Sequence, residues 1–156
     1  ESPDATALRL AEDKARAVAA RHPGALVIGS DQVLMLGASQ LGKPGDFGRA
    51  FAQLQAMQGR EMVFHTALAL FNSATGRVQK TDVPTRVAIR PLSDAQIAAY
   101  LQKEQPYDCA GSAKSESLGI ALMRTMESAD PTALVGLPLM ALTDMLLAEG
   151  VDPLLA

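Results

Sequence analysis

Tryptophan is absent from the 156 residues, and the aromatic share is only 4%. So thin an aromatic supply excludes the stacking platform on which single-stranded nucleic acid is usually held. The one cysteine, Cys109, excludes an internal disulfide framework and suits a reducing compartment, so a cytoplasmic location is expected. No signal peptide is expected, and with no apolar run of about 18 residues no membrane partner is expected either. Charge of one sign is also lacking. A net charge of −3 gives no general attraction to nucleic acid or to anionic lipid. Any anionic ligand must therefore be gathered by local cations.

What is present is a chain with 48% apolar and 20% charged residues, the balance of a folded globule. Ser2-Pro3 reads as N-cap and first helical position, opening a helix to about His22 with Leu8, Ala11, Ala15, Val18 and Ala19 as its apolar stripe. Lys14 lies at the edge of that stripe. Its stem can be buried while its ammonium enters a neighbouring cleft, or it is simply solvated. The stretch ALVIGSDQVLML (25–36) follows. Leu26, Val27 and Ile28 read as a strand buried on both faces, interrupted at Gly29-Ser30-Asp31 and resumed at Val33. A carboxylate between two apolar runs is costly unless it reaches solvent, a hydrogen-bond network or a metal. Asp31 is the strongest functional candidate on these grounds, with a turn aspartate as the plainer reading.

Gly37-Ala38-Ser39 turns the chain into LGKP (41–44), which places Lys43 in a loop. Asp46 caps a helix with Phe47, Ala50, Phe51, Leu54 and Met57 inside, closed by Gly59. Residues 61–71 and 77–90 read as two antiparallel strands joined by NSATG. Ser93 and Gln96 have capping-box spacing, LGIAL (118–122) reads as the last strand, and 138–148 as the last helix. No repeat and no linker interrupts this order. One α/β domain over residues 1–156, built on a mixed sheet, is expected.

The stretch YDCAGSAKSESLGIAL (107–122) carries a lysine and, two residues later, a glutamate among small residues. It is not a phosphate-binding P-loop, because Ala113 precedes the lysine and the segment does not lead into a helix. Neither histidine stands in a catalytic setting. A different pairing fits better. Lys14, Lys43 and Lys114 can neutralise phosphates, while Glu116 offers an acceptor-only carboxylate. The Watson–Crick edge of guanine presents adjacent N–H donors that one carboxylate accepts together. A ligand with phosphates at one end and such a base at the other suits both charges.

At these residues the sequence resembles the Maf family of nucleotide pyrophosphatases, especially its branch associated with 7-methyl-GTP. The matching stretches are LRLAEDKARAVA (8–19), VIGSDQVL (27–34), LGKP (41–44), HTALALFNSATG (65–76), YDCAGSAKSESLGIAL (107–122) and DPTALVGLPL (130–139), in order along nearly the whole chain. CAGSAKSES resembles that branch's CAGS-x-KSEG, with Ser117 where the branch usually shows glycine. The resemblance implies that Asp31 is the catalytic carboxylate and a metal ligand, that Lys14 and Lys43 contact phosphates, that Gln32 and Glu116 help choose the base, and that Lys114 is a loop contact. It implies hydrolysis of a nucleoside triphosphate to monophosphate and pyrophosphate with Mg²⁺ or Mn²⁺ as cofactor, a homodimer, and an α/β sandwich around an elongated mixed sheet.

The family opens with a strand and an S-x-S-P-R-R loop. Here Ser2-Pro3 is followed by Asp4 and Ala5, so the first strand and phosphate loop are expected to be missing. A non-hydrolysing, nucleotide-binding regulator linked to septum formation is the alternative that this departure raises.

Overall fold

The computed structural model describes residues 1–156. The chain forms two compact units, one made of Glu1–Gln32, His65–Pro84 and Ser128–Ala156, the other of Val33–Phe64 and Thr85–Glu127. Five strands, β1 (Leu26–Leu36), β2 (Ser39–Leu41), β3 (Glu61–Asn72), β4 (Val78–Ile89) and β5 (Met123–Ser128), form one sheet in the order β2-β1-β3-β4-β5. The α/β class agrees with expectation. The sheet, however, is open and antiparallel rather than mixed. Tight hairpins account for two of its pairings, and such turns join antiparallel neighbours only. Gly37, at φ 58°, turns β1 into β2, with Leu34 facing Leu41 and Leu36 facing Ser39. The sequence reading saw that turn but not the three-residue strand after it. The second hairpin is the expected NSATG turn, where Asn72 Oδ1 accepts the N–H groups of Ala74 and Thr75.

In the first unit, α1 (Pro3–Ala19) starts with Ser2 as N-cap and proline at the first position. It ends three residues before His22. Its buried stripe is Ala7, Ala11, Ala15 and Ala19, while Val18, expected inside, is exposed. The reason lies on β1. That strand runs unbroken through Gly29-Ser30-Asp31, and its residues alternate, so Ile28 is exposed rather than buried on both faces. A Cβ at Gly29 would stand 2.1 Å from the carbonyl oxygen of Ala11 and 2.8 Å from the amide nitrogen of Ala15. Helix and strand meet backbone to backbone, which admits only small residues. Below them Leu68 and Leu70 of β3 pack with Leu142 and Met145 of α4 (Leu139–Ala148).

The DPTALVGLPL stretch has a structural job here. Asp130 is 2% exposed, and its carboxylate accepts from the N–H and hydroxyl of Thr132 (3.0 and 2.6 Å) and from the N–H of Met140 (2.8 Å). It therefore caps α4 from outside the helix. Burial by itself raises its pKa. The Thr132 hydroxyl and the N–H groups of Thr132, Met140 and Ala141 outweigh that and hold it below the ordinary carboxylate range.

In the second unit, α2 (Phe47–Met57) is capped by Asp46, whose Oδ1 accepts from Arg49 N at 2.8 Å, and buries Ala50, Leu54 and Met57. Phe47, expected inside, is exposed. The capping box of α3 (Asp94–Glu104) is present as read, Ser93 and Gln96 satisfying each other's backbone N–H. LGIAL is a correction. Residues 118–122 form a 3₁₀ turn, and the strand begins only at Met123. A Cβ at Gly119 would fall 2.4 Å from the Lys114 carbonyl oxygen, so the chain has folded back on itself there and cannot extend. Most of β5 is exposed, which leaves it without an apolar alternation to read.

Gly29→Ala is expected to cost about 1–3 kcal/mol of stability, because overpacking here meets backbone and not a movable side chain. Urea unfolding measures it, and an unchanged midpoint would refute backbone contact between α1 and β1. Asp130→Asn is expected to lose about 1–3 kcal/mol at neutral pH. Since the folded pKa lies below the unfolded one, the wild-type advantage is full above the unfolded value of about 3.9 and vanishes as pH falls through the folded value. Stability curves of both proteins down to about pH 2 should therefore converge.

Candidate functional site

Backbone contact at Gly29 decides what stands beside it. Lys14 lies on α1 between Ala11 and Ala15, and the next residues of β1 are Ser30 and Asp31. Lys14 Nζ reaches Asp31 Oδ1 at 2.6 Å and the Ser30 carbonyl at 3.3 Å. The aspartate side chain is 15% exposed and the lysine 58%. A pair this open contributes at most about 1 kcal/mol to stability, so its consequence is positional. It fixes one carboxylate oxygen and uses two of the three ammonium donors. This is neither the interrupted strand nor the turn aspartate of the plainer reading. Asp31 sits within a continuous strand, its second oxygen free of Lys14.

The flanking residues tie the strand down. Ser30 Oγ lies 2.6 Å from the Gly136 carbonyl and 3.0 Å from that of Ala67. The Gln32 amide nitrogen donates to Thr66 Oγ1 (2.9 Å) and to the carbonyls of Leu134 (3.2 Å) and Ala133 (3.4 Å). Gln32 thus holds the 133–136 segment, and its carbonyl oxygen is the atom left for other use. An apolar cavity of about 440 Å³ lies against the same segment, lined by Thr132, Val135, Gly136, Leu137 and Leu139. His65, which the sequence reading treats as a hydrogen-bonded strand residue, has its Nδ1 2.7 Å from Asp82 Oδ2. No three His, Cys, Asp or Glu side chains assemble into a metal cage.

The second unit brings together the loops that carry Lys43, Lys114 and Glu116. The Gly111 N–H donates to the Gly42 carbonyl (3.2 Å) and the Gly45 N–H to the Tyr107 carbonyl (2.9 Å), so LGKP and CAGSAKSES run against each other. Gln53 of α2 straps both. Its nitrogen donates to the Gly42 carbonyl and its oxygen accepts the Ser112 hydroxyl, each at 2.9 Å. Gly111 adopts φ 66°, and a Cβ there would fall 2.3 Å from Leu34 Cδ2, so only glycine fits. Ser112 follows at φ 59° and is fully buried, a strained residue held by its neighbours. The buried Tyr100 hydroxyl donates to the Ser112 carbonyl (2.7 Å) and accepts from Lys114 N (3.3 Å). Burial pushes its pKa up to about 12. Burial, with the Asp108 carboxylate beside it, also raises the Cys109 thiol, which fits packing and not nucleophilic chemistry. Lys43 and Glu116 are exposed. Lys114 is not a free cation, since its Nζ stands 3.9 Å from Glu104 Oε1.

With that geometry in view, the profile of the family described as "Maf-like protein" matches residues 1–149. The chain belongs to the Maf family. The 7-methyl-GTP pyrophosphatase of Thiobacillus denitrificans is 75% identical over 154 residues, which cover 99% of this chain and 77% of that protein. The 7-methyl-GTP pyrophosphatase of Ralstonia nicotianae is 63% identical over 146 residues, 94% of this chain and 75% of that protein. The one from Nitrosospira multiformis is 59% identical over 152 residues, 97% and 77% respectively. No helix of this Maf chain is long and apolar enough to cross a membrane.

Two residues of this Maf chain escaped the sequence reading. Gln53 gave no signal, because a glutamine on an amphipathic helix reads as solvated. Glu104 gave a faint one, since an acidic residue closing a helix opposes the helix dipole. Gln53→Leu is expected to lower stability by about 1–3 kcal/mol, because the buried Ser112 hydroxyl loses its acceptor and the Gly42 carbonyl keeps only the Gly111 N–H. Chemical denaturation checks this, and a neutral effect would show that the strap is dispensable.

Proposed function

We propose that the chain hydrolyses 7-methyl-GTP to the monophosphate and pyrophosphate. The observation that carries the reading is the 2.6 Å pairing of Lys14 with Asp31, set on a rigid strand by the closeness of α1. Similarity to proteins named for that reaction supports it. A water oxygen attacks the α-phosphorus and the bond to the bridging oxygen of the β-phosphate breaks. Pyrophosphate departs with the electron pair, and the water proton passes to the Asp31 carboxylate. Lys14 orients that carboxylate and keeps one donor for a phosphate oxygen; for Lys43, a role toward phosphate rests on its resemblance to the family's GKP motif. Most of the acceleration is positioning and charge stabilisation.

The residues fit a Mg²⁺ or Mn²⁺ ion that arrives with the substrate. Such an ion is commonly held by one or two carboxylates plus phosphate oxygens, and needs no cage of protein ligands. Asp31 would hold it, and when bound it neutralises charge on the departing pyrophosphate. Glu116 reads the base. Methylation at N7 makes the purine cationic and strengthens its N–H donors, and a charge-assisted bond is roughly twice as strong as a neutral one. The part of Gln32 in choosing the base rests on its resemblance to the family's SDQ motif.

Asp31→Asn is expected to cut pyrophosphate release by about 10²–10⁴-fold while leaving nucleotide binding largely intact. Near-normal turnover by that variant removes Asp31 from the chemistry. Glu116→Gln should reduce the preference for 7-methyl-GTP over GTP, measured as the ratio of kcat/KM values. An unchanged ratio would mean that another residue reads the base.

A further inference from the structure

Glu104 is placed where a carboxylate is doubly unfavourable. It is the last residue of α3, at the negative end of the helix dipole, and its side chain is only 10% exposed. Compensation comes from the 114–118 loop. Glu104 Oε2 accepts the Ser117 hydroxyl at 3.0 Å and the Leu118 N–H at 3.4 Å, while Oε1 faces Lys114 Nζ at 3.9 Å. Within the loop, Ser117 N donates to the Lys114 carbonyl at 3.1 Å, and the backbone closes around Gly119. Glu116 is left exposed on the outside of this closure, its nearest partner being Ser115 Oγ at 3.5 Å.

We infer that Glu104 is a positioning residue that determines base specificity: it draws the Lys114 ammonium away from Glu116, so that Glu116 meets the base as an unneutralised acceptor. The inference rests on the reading of Glu116 given above. Lys114 is two residues from Glu116 on a tightly folded loop, and a lysine side chain spans that separation. An ammonium resting on Glu116 would occupy the carboxylate oxygens that the N–H donors of the base require. Glu104 competes for that ammonium from a drier setting, where attraction between opposite charges is stronger. Ser117 adds to the hold, since its hydroxyl is the closest donor to Glu104 in the loop. The pairing of lysine with glutamate in AKSES is thus resolved by a third residue on a neighbouring helix. The lysine answers Glu104, and the glutamate answers the ligand.

The test compares kcat/KM for 7-methyl-GTP and GTP in the wild-type protein and in Glu104→Gln, which keeps an acceptor for Ser117 and Leu118 but removes the charge. The ratio is expected to fall by about fivefold or more, the scale of weakening one charge-assisted bond, chiefly through KM for 7-methyl-GTP. Adding Lys114→Met to Glu104→Gln should restore it, because no ammonium remains to cover Glu116. Lys114→Met alone should keep the wild-type ratio, and this variant tests the idea even if Glu104→Gln folds poorly. An unchanged ratio in a folded Glu104→Gln, a fall that Lys114→Met does not rescue, or a loss of preference in Lys114→Met alone would each overturn the inference. Glu116→Gln run beside them separates the two claims. If it lowers the ratio while Glu104→Gln does not, only the Glu104 inference fails; if it has no effect, the reading of the base site fails with it.

Discussion

Contact between α1 and β1 at Gly29 is the constraint on which the candidate chemistry depends. An added methyl group at that glycine would overlap the carbonyl of Ala11, so the helix axis is held at a distance only alanines permit. The four buried alanines of α1 follow from that demand and contribute little apolar area of their own. What the closeness gains is placement. A lysine on the next helical position reaches an aspartate two residues along the strand without stretching, and a surface ion pair becomes a fixed geometry. Ser30 and Gln32, on either side of Asp31, remove the remaining freedom of the strand by bonding to the 133–136 segment.

The second unit solves a different problem. Its candidate residues ride on loops, which need support that helices and strands supply internally. LGKP and CAGSAKSES provide it for each other through backbone bonds, and Gln53, Tyr100 and Glu104 add side-chain anchors from two helices. Each anchor is buried or half-buried and satisfies polar atoms that would otherwise be costly to remove from water. Gly111 and Ser112 complete the arrangement with left-handed backbone angles, so the tightness of the loop is carried by the chain itself.

Much of the secondary structure was readable because its signals are local. The caps of α2 and α3, the proline at the start of α1 and the NSATG hairpin all depend on residues within four positions of one another, and all appear as read. The misreadings share a cause as well. Gly29 looks like a strand break until the helix against it is known, and LGIAL looks like a strand until Gly119 is seen folded over Lys114. Apolar residues on α1 seemed to mark its inner face, yet the inner face belongs to the smallest side chains. Asp130 gave no sign of its capping role, because the helix it caps begins nine residues later.

By itself the sequence determined the α/β class, the starts of α1, α2 and α3, the NSATG turn, and, through its motifs, the family and the candidate residues Asp31, Lys14, Lys43 and Glu116. These depend on near neighbours and on residue chemistry, which a linear string preserves. Only the tertiary structure decided that the sheet is antiparallel, that Lys14 is bound to Asp31, that Gln32 holds the 133–136 segment, and that Lys114 belongs to Glu104. Those are contacts between residues from ten to more than a hundred positions apart, and their selection depends on which surfaces pack together, a property no local pattern encodes.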